Sequence, residues 1–327
     1  MRALVTGATG FIGSNLVREL ITEGAQVRAL ARKGSERKAL AGLSVEVVEG
    51  DLLDRDSLNR AVQGCEVVFH VGALYAFWPP AHKEVYRVNV EGTRNILEAA
   101  RAQGVRRLVH TSSSATIGLP ADGTAGDEAT AVSQAEMLHG YKESKYLAEV
   151  EALKASKEMA VVVVNPTAPV GAWDVKPTPT GRIVLDFMKG RMFGYVDTGL
   201  NVVHVRDVAK GHILAFEKGR VGERYVLGNR NMSLREIFAA IGVIVGRPAP
   251  KLKVPYAVAL GFAYLDELVT GRILRRTPRA AVNEVRLAHK RMYFSAAKAV
   301  RELGMPQTPV ESAFGDAVTW FKAYGYA

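Results

Sequence analysis

The sequence predicts an α/β fold, a doubly wound parallel sheet followed by a smaller, mostly helical C-terminal portion. Short β-branched runs alternate with helical patterns through the first 165 residues. Several of these runs are nearly continuous Val and Leu, the pattern of strands that helices cover on both faces. From about residue 229 onward the chain is helical and interrupted by prolines. Alternating strands and helices of this kind predict parallel pairing with right-handed crossovers.

The predicted elements follow one another at short intervals. Strands are predicted at residues 2–5, 26–31, 45–48, 66–70, 107–111 and 160–164, and helices at 11–23, 57–63, 90–103 and 141–156. Four prolines between residues 166 and 182 predict an ordered loop. After it, a strand at 202–205 and a helix from 207 are expected to return to the sheet.

Composition and cysteine content exclude several classes of protein. Of the 327 residues, 48% are apolar and 23% charged, which excludes extended disorder. Cys65 is the only cysteine, so an internal disulfide and a cysteine-rich zinc site are excluded. The seven histidines have no paired metal-ligand spacing, and we expect no metal. No secretory leader pattern precedes the first strand, so we expect a cytoplasmic protein.

The net charge of +10 is concentrated in one window. Residues 247–301 contain twelve Lys or Arg and three acidic residues, which leaves nine of the ten net positive charges there. Three interpretations stay open: a solvated face, a rim for a diphosphate, or contact with a membrane surface through the apolar residues 254–265. That apolar stretch is too short to span a bilayer. Nucleic acid fits poorly, because no recognised binding module accompanies the charge.

A glycine-rich loop follows the first predicted strand and precedes a helix. Its glycines have the spacing G-x-x-G-x-x-G. In this setting the first glycine permits a tight turn, the second lets the backbone approach a pyrophosphate, and the third allows close helix packing. The alternative is a tight turn without a ligand. The interpretation as a dinucleotide site of the Rossmann type assigns cofactor contacts to Gly7, Thr9, Gly10, Phe11, Ile12 and Gly13.

The residue after the second predicted strand bears on which dinucleotide binds. Proteins specific for NAD usually place Asp or Glu there to bind the ribose hydroxyls, whereas this chain has Arg32. A guanidinium can bind a 2′-phosphate bidentately, so NADP(H) is favoured over NAD(H). The alternative is a solvated basic loop, since three more basic residues follow within six positions. After the third strand, Asp51 and Leu52 are placed to meet the adenine.

A tyrosine, a lysine and a run of serines predict the chemistry. Tyr141 and Lys145 are four residues apart and share one helix face. Ser112, Ser113 and Ser114 follow the fifth strand, at the edge where open α/β sheets bind ligands. Tyrosine is a poor base at neutral pH unless a nearby cation, here the lysine, lowers its pKa. A serine would hold a substrate oxygen while the tyrosine moves its proton and hydride passes to or from a nicotinamide. By themselves, the tyrosine and lysine could be an exposed helix pair.

In this order, these features resemble the extended short-chain dehydrogenase/reductase family, which is the NAD(P)-dependent epimerase/dehydratase family. The resemblance covers nearly the whole chain and includes residues 70–73, 88–93, 165–166 and 204–209. On residues 176–182, 195–201 and 291–295, the chain is most similar to the hopanoid-associated sugar epimerase group. It is also similar to the dihydroflavonol 4-reductase and 3β-hydroxysteroid dehydrogenase branches.

The resemblance implies roles for particular residues. Ser113 would be the catalytic serine, with Ser114 as the fallback, and Asn89 a structural and proton-relay position. The dehydratase branch has a Thr and an acidic pair where this chain has serines, which disfavours dehydration. A homodimer is also implied. The remaining cofactor contacts would be Gly72, Ala73, Asn89, Tyr141, Lys145 and Pro166.

The family organisation also predicts two parts of the chain and a choice of reactions. Residues 1–165 and about 200–228 would bind the dinucleotide, and residues 166–199 and 229–327 would bind the substrate. The leading function is an NADP(H)-dependent oxidoreductase that moves hydride between nicotinamide and a secondary alcohol or ketone. One alternative is a nucleotide-sugar 4-epimerase with a retained cofactor. Another is a non-catalytic dinucleotide sensor.

The loop after the fourth strand bears on the substrate. Residues 74–80 include three aromatics, which could stack on a sugar, cover an apolar ring system or pack under the loop. With the hopanoid-linked resemblance, they favour an isoprenoid-like, hopanoid-like or sterol-like small molecule. The expected substrate contacts are Tyr75, Trp78, Ser114, Arg182 and Asn201.

Overall fold

The protein is built on strands and helices that alternate along its first half. The computed structural model describes residues 1–75, 82–132, 137, 140–274, 282–287 and 290–327. The strands in chain order are β1 (Arg2–Thr6), β2 (Gln26–Ala31), β3 (Glu46–Glu49), β4 (Val67–His70), β5 (Arg107–Thr111), β6 (Val161–Pro166), β7 (Ala168–Val170), β8 (Gly194–Tyr195), β9 (Gly199–His204), β10 (Arg224–Leu227), β11 (Arg230–Ser233) and β12 (Leu252–Lys253). The α-helices are α1 (Phe11–Thr22), α2 (Arg55–Val62), α3 (His82–Tyr86), α4 (Gly92–Ala102), α5 (Tyr141–Ala155), α6 (Pro179–Met188), α7 (Val205–Lys218), α8 (Leu234–Val245), α9 (Tyr256–Asp266), α10 (Val282–Leu287) and α11 (Val310–Ala323).

Seven strands form one parallel sheet in the order β3-β2-β1-β4-β5-β6-β10. The strand order reverses between β1 and β4, which lie side by side with Thr6 opposite His70. All carboxyl ends therefore meet at one edge, where such sheets bind ligands. The predicted fold class, a doubly wound parallel sheet of the Rossmann type, is confirmed.

Alternate residues of the central strands enter two different cores. In β6, Val162 and Val164 pack with helices α1 and α7 on one face of the sheet. Val161 and Val163 pack with α2, α4 and α5 on the other face. Successive side chains of a strand point to opposite faces, and here both faces are covered. This is the physical reason why the strands are apolar without alternation.

One predicted strand belongs to a different sheet. The Val-rich strand at 202–205 is part of β9, which pairs with β7 and β11 in a separate three-stranded sheet. The prediction that it returns to the main sheet is therefore wrong, and β10 takes the seventh place. The helix after it, α7, does pack against the main sheet, as predicted. An apolar strand pattern predicts burial, but it does not specify which strand is the partner.

The second half of the chain builds a further layer beside the sheet. Helices α6, α8 and α11 pack around a core that includes Phe187, Phe238 and Phe314. A short pair of strands, β8 and β12, lies near the start of α9. Within the described ranges, no helix combines the length and apolar character needed to cross a bilayer.

Candidate active site

The glycine loop folds tightly between β1 and α1. Gly7 has a φ of +66°, and a Cβ at this position would lie 2.7 Å from the Cα of Gly72 at the end of β4. A Cβ on Gly13 would lie 2.2 Å from the carbonyl oxygen of Gly7. Gly10 is the N-cap of α1, which begins at Phe11. The loop therefore exposes backbone at a helix N-terminus, which suits a pyrophosphate.

The other predicted cofactor residues follow the neighbouring strands. Arg32 directly follows β2 and is exposed. Asp51 is half-buried, and its Oδ1 accepts a hydrogen bond from the backbone N–H of Leu53 at 2.9 Å. The side chain of Leu52 lies against Gly72, 3.3 Å from where a Cβ would stand. The structure thus places the loop, Leu52 and Gly72 together. Of the other predicted contacts, Thr9 and Ile12 are half-buried, Ala73 is exposed and Pro166 is buried.

Ser113, Tyr141 and Lys145 meet at the carboxyl end of β5. Tyr141 is the first residue of α5, and its phenol forms a hydrogen bond with the hydroxyl of Ser113. The Ser113 hydroxyl also accepts a hydrogen bond from the N–H of Ala115 at 3.1 Å. Lys145 is buried, and its Nζ donates to the carbonyl oxygen of Thr111 at 2.6 Å. The predicted trio is therefore brought together by the end of one strand and the start of one helix.

Burial shifts the pKa values of both ionisable members of this trio. Loss of solvation raises the pKa of Tyr141 to about 12, and the hydrogen bond with Ser113 opposes that rise. Burial lowers the pKa of Lys145 to about 8, while the negative charge of Glu149 acts in the opposite direction. At neutral pH the phenol keeps its proton and the lysine is mostly charged. The protein alone therefore presents Tyr141 as a proton donor.

Asn89 connects the loop after β4 to α5. It lies in a π-helical segment, Arg87–Glu91, that joins α3 to α4. Its Oδ1 accepts from the N–H of Leu74 at 2.7 Å, and its Nδ2 donates to the carbonyl oxygen of Leu74 at 3.0 Å. The Nδ2 also donates to the hydroxyl of Ser144 at 2.9 Å. Asn89 thus fixes the backbone beside Tyr75, whose ring centroid is 4.5 Å from that of Tyr141.

Sequence reasoning missed a buried carboxylate next to this trio. Glu149 lies one helical turn after Lys145 and is 3% exposed. Its Oε2 accepts hydrogen bonds from the hydroxyl of Thr116 at 2.7 Å and the Nδ2 of Asn165 at 2.8 Å. Its Oε1 forms an ion pair with Arg224 at 3.0 Å. The i, i+4 spacing from Lys145 was the available signal, but its partners come from distant parts of the chain.

The same two donors also hold the backbone of Ser113. Its carbonyl oxygen accepts from the hydroxyl of Thr116 at 2.8 Å and the Nδ2 of Asn165 at 3.1 Å. Glu149 therefore links the helix that carries Tyr141 to the strand end that carries Ser113. These hydrogen bonds hold the backbone from which the Ser113 side chain extends.

The predicted substrate residues have different surroundings. Tyr75 is exposed and packs edge-on against Tyr141. Ser114 begins the short turn after Ser113. Arg182 is exposed on α6, and its Nε donates to the carbonyl oxygen of Pro177 at 3.1 Å. Trp78 lies outside the described residues. Tyr75 thus contacts Tyr141, and Ser114 directly follows Ser113.

Asn201 has a structural explanation. It is buried on β9, and its Nδ2 donates to the Oδ1 of Asn231 at 2.7 Å and the carbonyl oxygen of Phe294 at 2.9 Å. Its Oδ1 accepts from the N–H of Asn229 at 2.9 Å. These protein groups engage both ends of its carboxamide and give Asn201 a structural role in the fold. In the described part of the chain, no group of three or more His, Cys, Asp and Glu residues could hold a metal.

Comparisons with known proteins agree with this geometry. The model of the NAD-dependent epimerase/dehydratase family matches residues 3–228. A protein of Synechocystis sp., named provisionally as a dihydroflavonol 4-reductase, is 47% identical over 98% of this chain and 95% of its own length. Sterol demethylase protein B of Methylococcus capsulatus is 39% identical over 99% of both chains. The structure of PA4631, described as a nucleoside-diphosphate-sugar epimerase from Pseudomonas aeruginosa, has a TM-score of 0.83 and 26% identity, covering 100% of this chain and 99% of that one.

Proposed function

Since the chain belongs to the NAD-dependent epimerase/dehydratase family, we propose that it transfers hydride between NADP(H) and a secondary alcohol or ketone. It is a nicotinamide-dependent enzyme of the extended short-chain dehydrogenase/reductase type. The observation that carries the proposal is the hydrogen bond between Tyr141 and Ser113, with the buried Lys145 one helical turn along. These groups can bind and protonate one substrate oxygen.

The residues of the glycine loop would hold the dinucleotide by its pyrophosphate, with Leu52 and Gly72 beside it. When bound, the nicotinamide supplies or accepts the hydride. Ser113 holds the substrate oxygen with its hydroxyl. In the direction of ketone reduction, Tyr141 donates its proton to that oxygen as negative charge develops there. Lys145 stabilises the phenolate that remains, which is then reprotonated from solvent.

The role of Tyr141 is tested by a substitution that removes its hydroxyl. Tyr141→Phe should lower kcat for ketone reduction by about 10²- to 10⁴-fold, the usual contribution of a positioned acid or base. The Kd for NADPH should change little. Tyr146→Phe, on the same helix and half-buried, is the matched control and should retain activity. Equal activity of Tyr141→Phe and wild type would exclude this mechanism.

The preference for NADP(H) is supported by Arg32. It is exposed directly after β2, where a guanidinium could bind the 2′-phosphate. Titration with NADPH and NADH should show weaker NADPH binding in Arg32→Ala and unchanged NADH binding. Arg37→Ala, also exposed, controls for the basic loop as a whole. Unchanged NADPH affinity in Arg32→Ala would remove this argument.

A partly apolar substrate, such as an isoprenoid-, hopanoid- or sterol-like ketone, completes the proposal. Tyr75 supports it, because an exposed aromatic ring beside Tyr141 could cover an apolar ring system. The name of the Methylococcus relative refers to sterol, which supports the same class. Purified enzyme should reduce a sterol 3-ketone or an isoprenoid ketone with NADPH. Activity confined to UDP-sugars would contradict this substrate class.

A nucleotide-sugar 4-epimerase is the second candidate. The likeness to PA4631 favours it, because that protein is described as a nucleoside-diphosphate-sugar epimerase. An epimerase oxidises and re-reduces one substrate, so it should be isolated with tightly bound NAD. It should also show no net consumption of NADPH with any ketone. Those two results together would replace the reductase proposal.

A homodimer in the cytoplasm is also part of the proposal. Its support is the family likeness, since extended short-chain enzymes of this type associate in pairs. Light scattering after size exclusion should give a mass twice that of the 35.4 kDa chain. A concentration-independent monomer mass would contradict the dimer.

A further inference from the structure

The helical segment formed by residues 256–274, termed here the apolar segment, lies largely at the protein surface. It consists of α9, with the sequence YAVALGFAYLD, a π-helical continuation over Glu267–Ile273, and Leu274. Within α9, which is described throughout, Ala263 is the only buried residue. A helix that is apolar on all sides is normally buried in a protein core or a membrane. Seven large side chains of the segment are between 49% and 67% exposed, namely Val258, Phe262, Tyr264, Leu265, Leu268, Ile273 and Leu274.

The apolar segment is presented from a fixed base. Before it, β12 pairs with β8, and the N–H of Val254 donates to the carbonyl oxygen of Tyr195 at 2.8 Å. After it, the N–H of Met292 donates to the carbonyl oxygen of Gly199 at 2.9 Å. The chain on either side of the apolar segment is therefore hydrogen-bonded to β8 and β9. The exposed side chains therefore belong to a segment that is hydrogen-bonded to the rest of the fold on both sides.

Exposed cations lie on the chain before and after the apolar segment. Lys251 and Lys253 precede it, and Lys290 and Arg291 follow it. Lys253 and Arg291 share one acidic partner, Asp197, at 2.8 and 3.4 Å. Four exposed cations on two short stretches therefore face a single carboxylate, Asp197, which pairs with two of them. This base therefore carries a positive surface charge beside the apolar side chains.

Helix α10 adds a further cation beside the apolar segment. Arg286 on α10 donates from its Nη2 to the phenol oxygen of Tyr264 on α9 at 2.7 Å. The acidic groups of the segment are engaged locally: Oε1 of Glu267 accepts from the N–H of Val282 at 2.7 Å, and Oδ1 of Asp266 accepts from the hydroxyl of Thr270. The described cations around the apolar surface therefore outnumber the carboxylates described with them: Lys251, Lys253, Arg286, Lys290 and Arg291 against Asp197, Asp266 and Glu267.

We propose that the apolar segment docks on an anionic lipid bilayer, with its large side chains at the boundary between headgroups and acyl chains. The bordering lysines and arginines would contact lipid phosphates, a pairing that strengthens peripheral binding. α9 has eleven residues, or about 16 Å of helix, whereas the hydrocarbon core is about 30 Å thick. The segment therefore lies in the interface and does not cross the membrane.

Charge complementarity selects this occupant over a second copy of the chain. Residues 247–301 carry nine net positive charges. Self-association through this face would bring together the exposed Lys251, Lys253, Lys290 and Arg291 of two copies, and like charges repel. An anionic bilayer offers both the apolar medium and the opposite charge. A homodimer would accordingly use another face.

Vesicle co-sedimentation of the full chain tests the proposal without depending on the reaction. We expect binding to vesicles containing phosphatidylglycerol and weaker binding to pure phosphatidylcholine, with high salt weakening the binding to the anionic vesicles. The double variant Phe262→Gln/Leu265→Gln should bind anionic vesicles at least about tenfold more weakly, because it removes two inserted apolar side chains. Val221→Gln changes an exposed apolar residue outside the segment and should bind like wild type.

The outcomes distinguish the possible occupants. All three proteins should unfold at the same temperature, since the substituted side chains are exposed. Folded wild type that does not bind anionic vesicles would overturn the proposal. So would a dimer, seen by sedimentation equilibrium, that Phe262→Gln/Leu265→Gln dissociates, because a second copy would then cover the segment. Ketone reduction with NADPH can be measured on the same samples, so failure of the proposed reaction would be visible separately.

Discussion

Replacement of Glu149 by glutamine tests the buried network that joins Ser113 to α5. The change keeps the size of the side chain and removes one negative charge. The side chains of Glu149 and Arg224 are 4% and 23% exposed. Breaking a buried ion pair by removing one partner costs about 3–5 kcal/mol. Because the new carboxamide can still accept hydrogen bonds and Arg224 reaches water, we expect the lower end, about 3 kcal/mol.

Urea unfolding followed by circular dichroism measures this loss of stability. The matched control is Glu151→Gln on the same helix. Glu151 pairs with Arg94 and Lys154, whose side chains are half-exposed or more. An exposed pair contributes about 0–1 kcal/mol, so the control should lose much less than Glu149→Gln. Equal losses in the two variants would refute the assignment of Glu149 as a buried structural charge.

The pH dependence of activity gives a second measurement on Glu149→Gln. The negative charge of Glu149 raises the pKa of Lys145, which burial holds at about 8. Without that charge the pKa of Lys145 falls, so its ammonium discharges at a lower pH. If the ammonium is needed to stabilise the phenolate of Tyr141, activity should decline at a lower pH on the alkaline side than in wild type. An unshifted alkaline limb in a folded, active Glu149→Gln would show that the carboxylate does not act through Lys145.

Three further predictions follow from single contacts. Gly13→Ala should weaken NADPH binding by at least about tenfold, because its Cβ would lie 2.2 Å from a loop carbonyl oxygen. The control Gly315→Ala on α11 has open space around its Cβ and should instead raise the free energy of unfolding in urea by about 0.5–1 kcal/mol. Ser113→Ala should lower kcat by about 10²-fold and Ser114→Ala only a few-fold, and the reverse order in a kinetic assay would move the catalytic role to Ser114. Burial lowers the pKa of His70 to about 3. Below pH 6.5 only the unfolded chain binds a proton at this group, so the free energy of unfolding decreases as the pH is lowered, by about 2 kcal/mol at pH 5. Equal stability in urea at pH 7 and pH 5 would contradict this.

Much of the fold of residues 1–165 could be predicted because its signals are local. The strands are apolar on both faces, so unbroken runs such as residues 161–164 identify them. The glycine loop depends on backbone clearance, which only glycine provides, so its spacing is visible in the sequence. Tyr141 and Lys145 are one helical turn apart, so their shared face follows from helix geometry.

Other features depend on contacts between distant segments. The pattern of β9 predicts a buried strand, but its pairing with β7 and β11 is decided by where the chain passes after residue 166. Asn201 is an expected substrate contact in the sequence, and only the fold shows that it is bonded to Asn231 and Phe294. Among three adjacent serines, the hydrogen bond with Tyr141 favours Ser113.

The sequence by itself determined the fold class, the glycine loop and the residue types available for hydride chemistry, because periodicity and backbone clearance act over a few residues. Only the tertiary structure decided how those groups are held. The carboxylate of Glu149 is paired with Arg224, which lies 75 positions away, and it is bonded to Thr116 and Asn165, which come from two other elements. A charge can be buried only where such partners converge, and their convergence depends on the packing of the whole sheet.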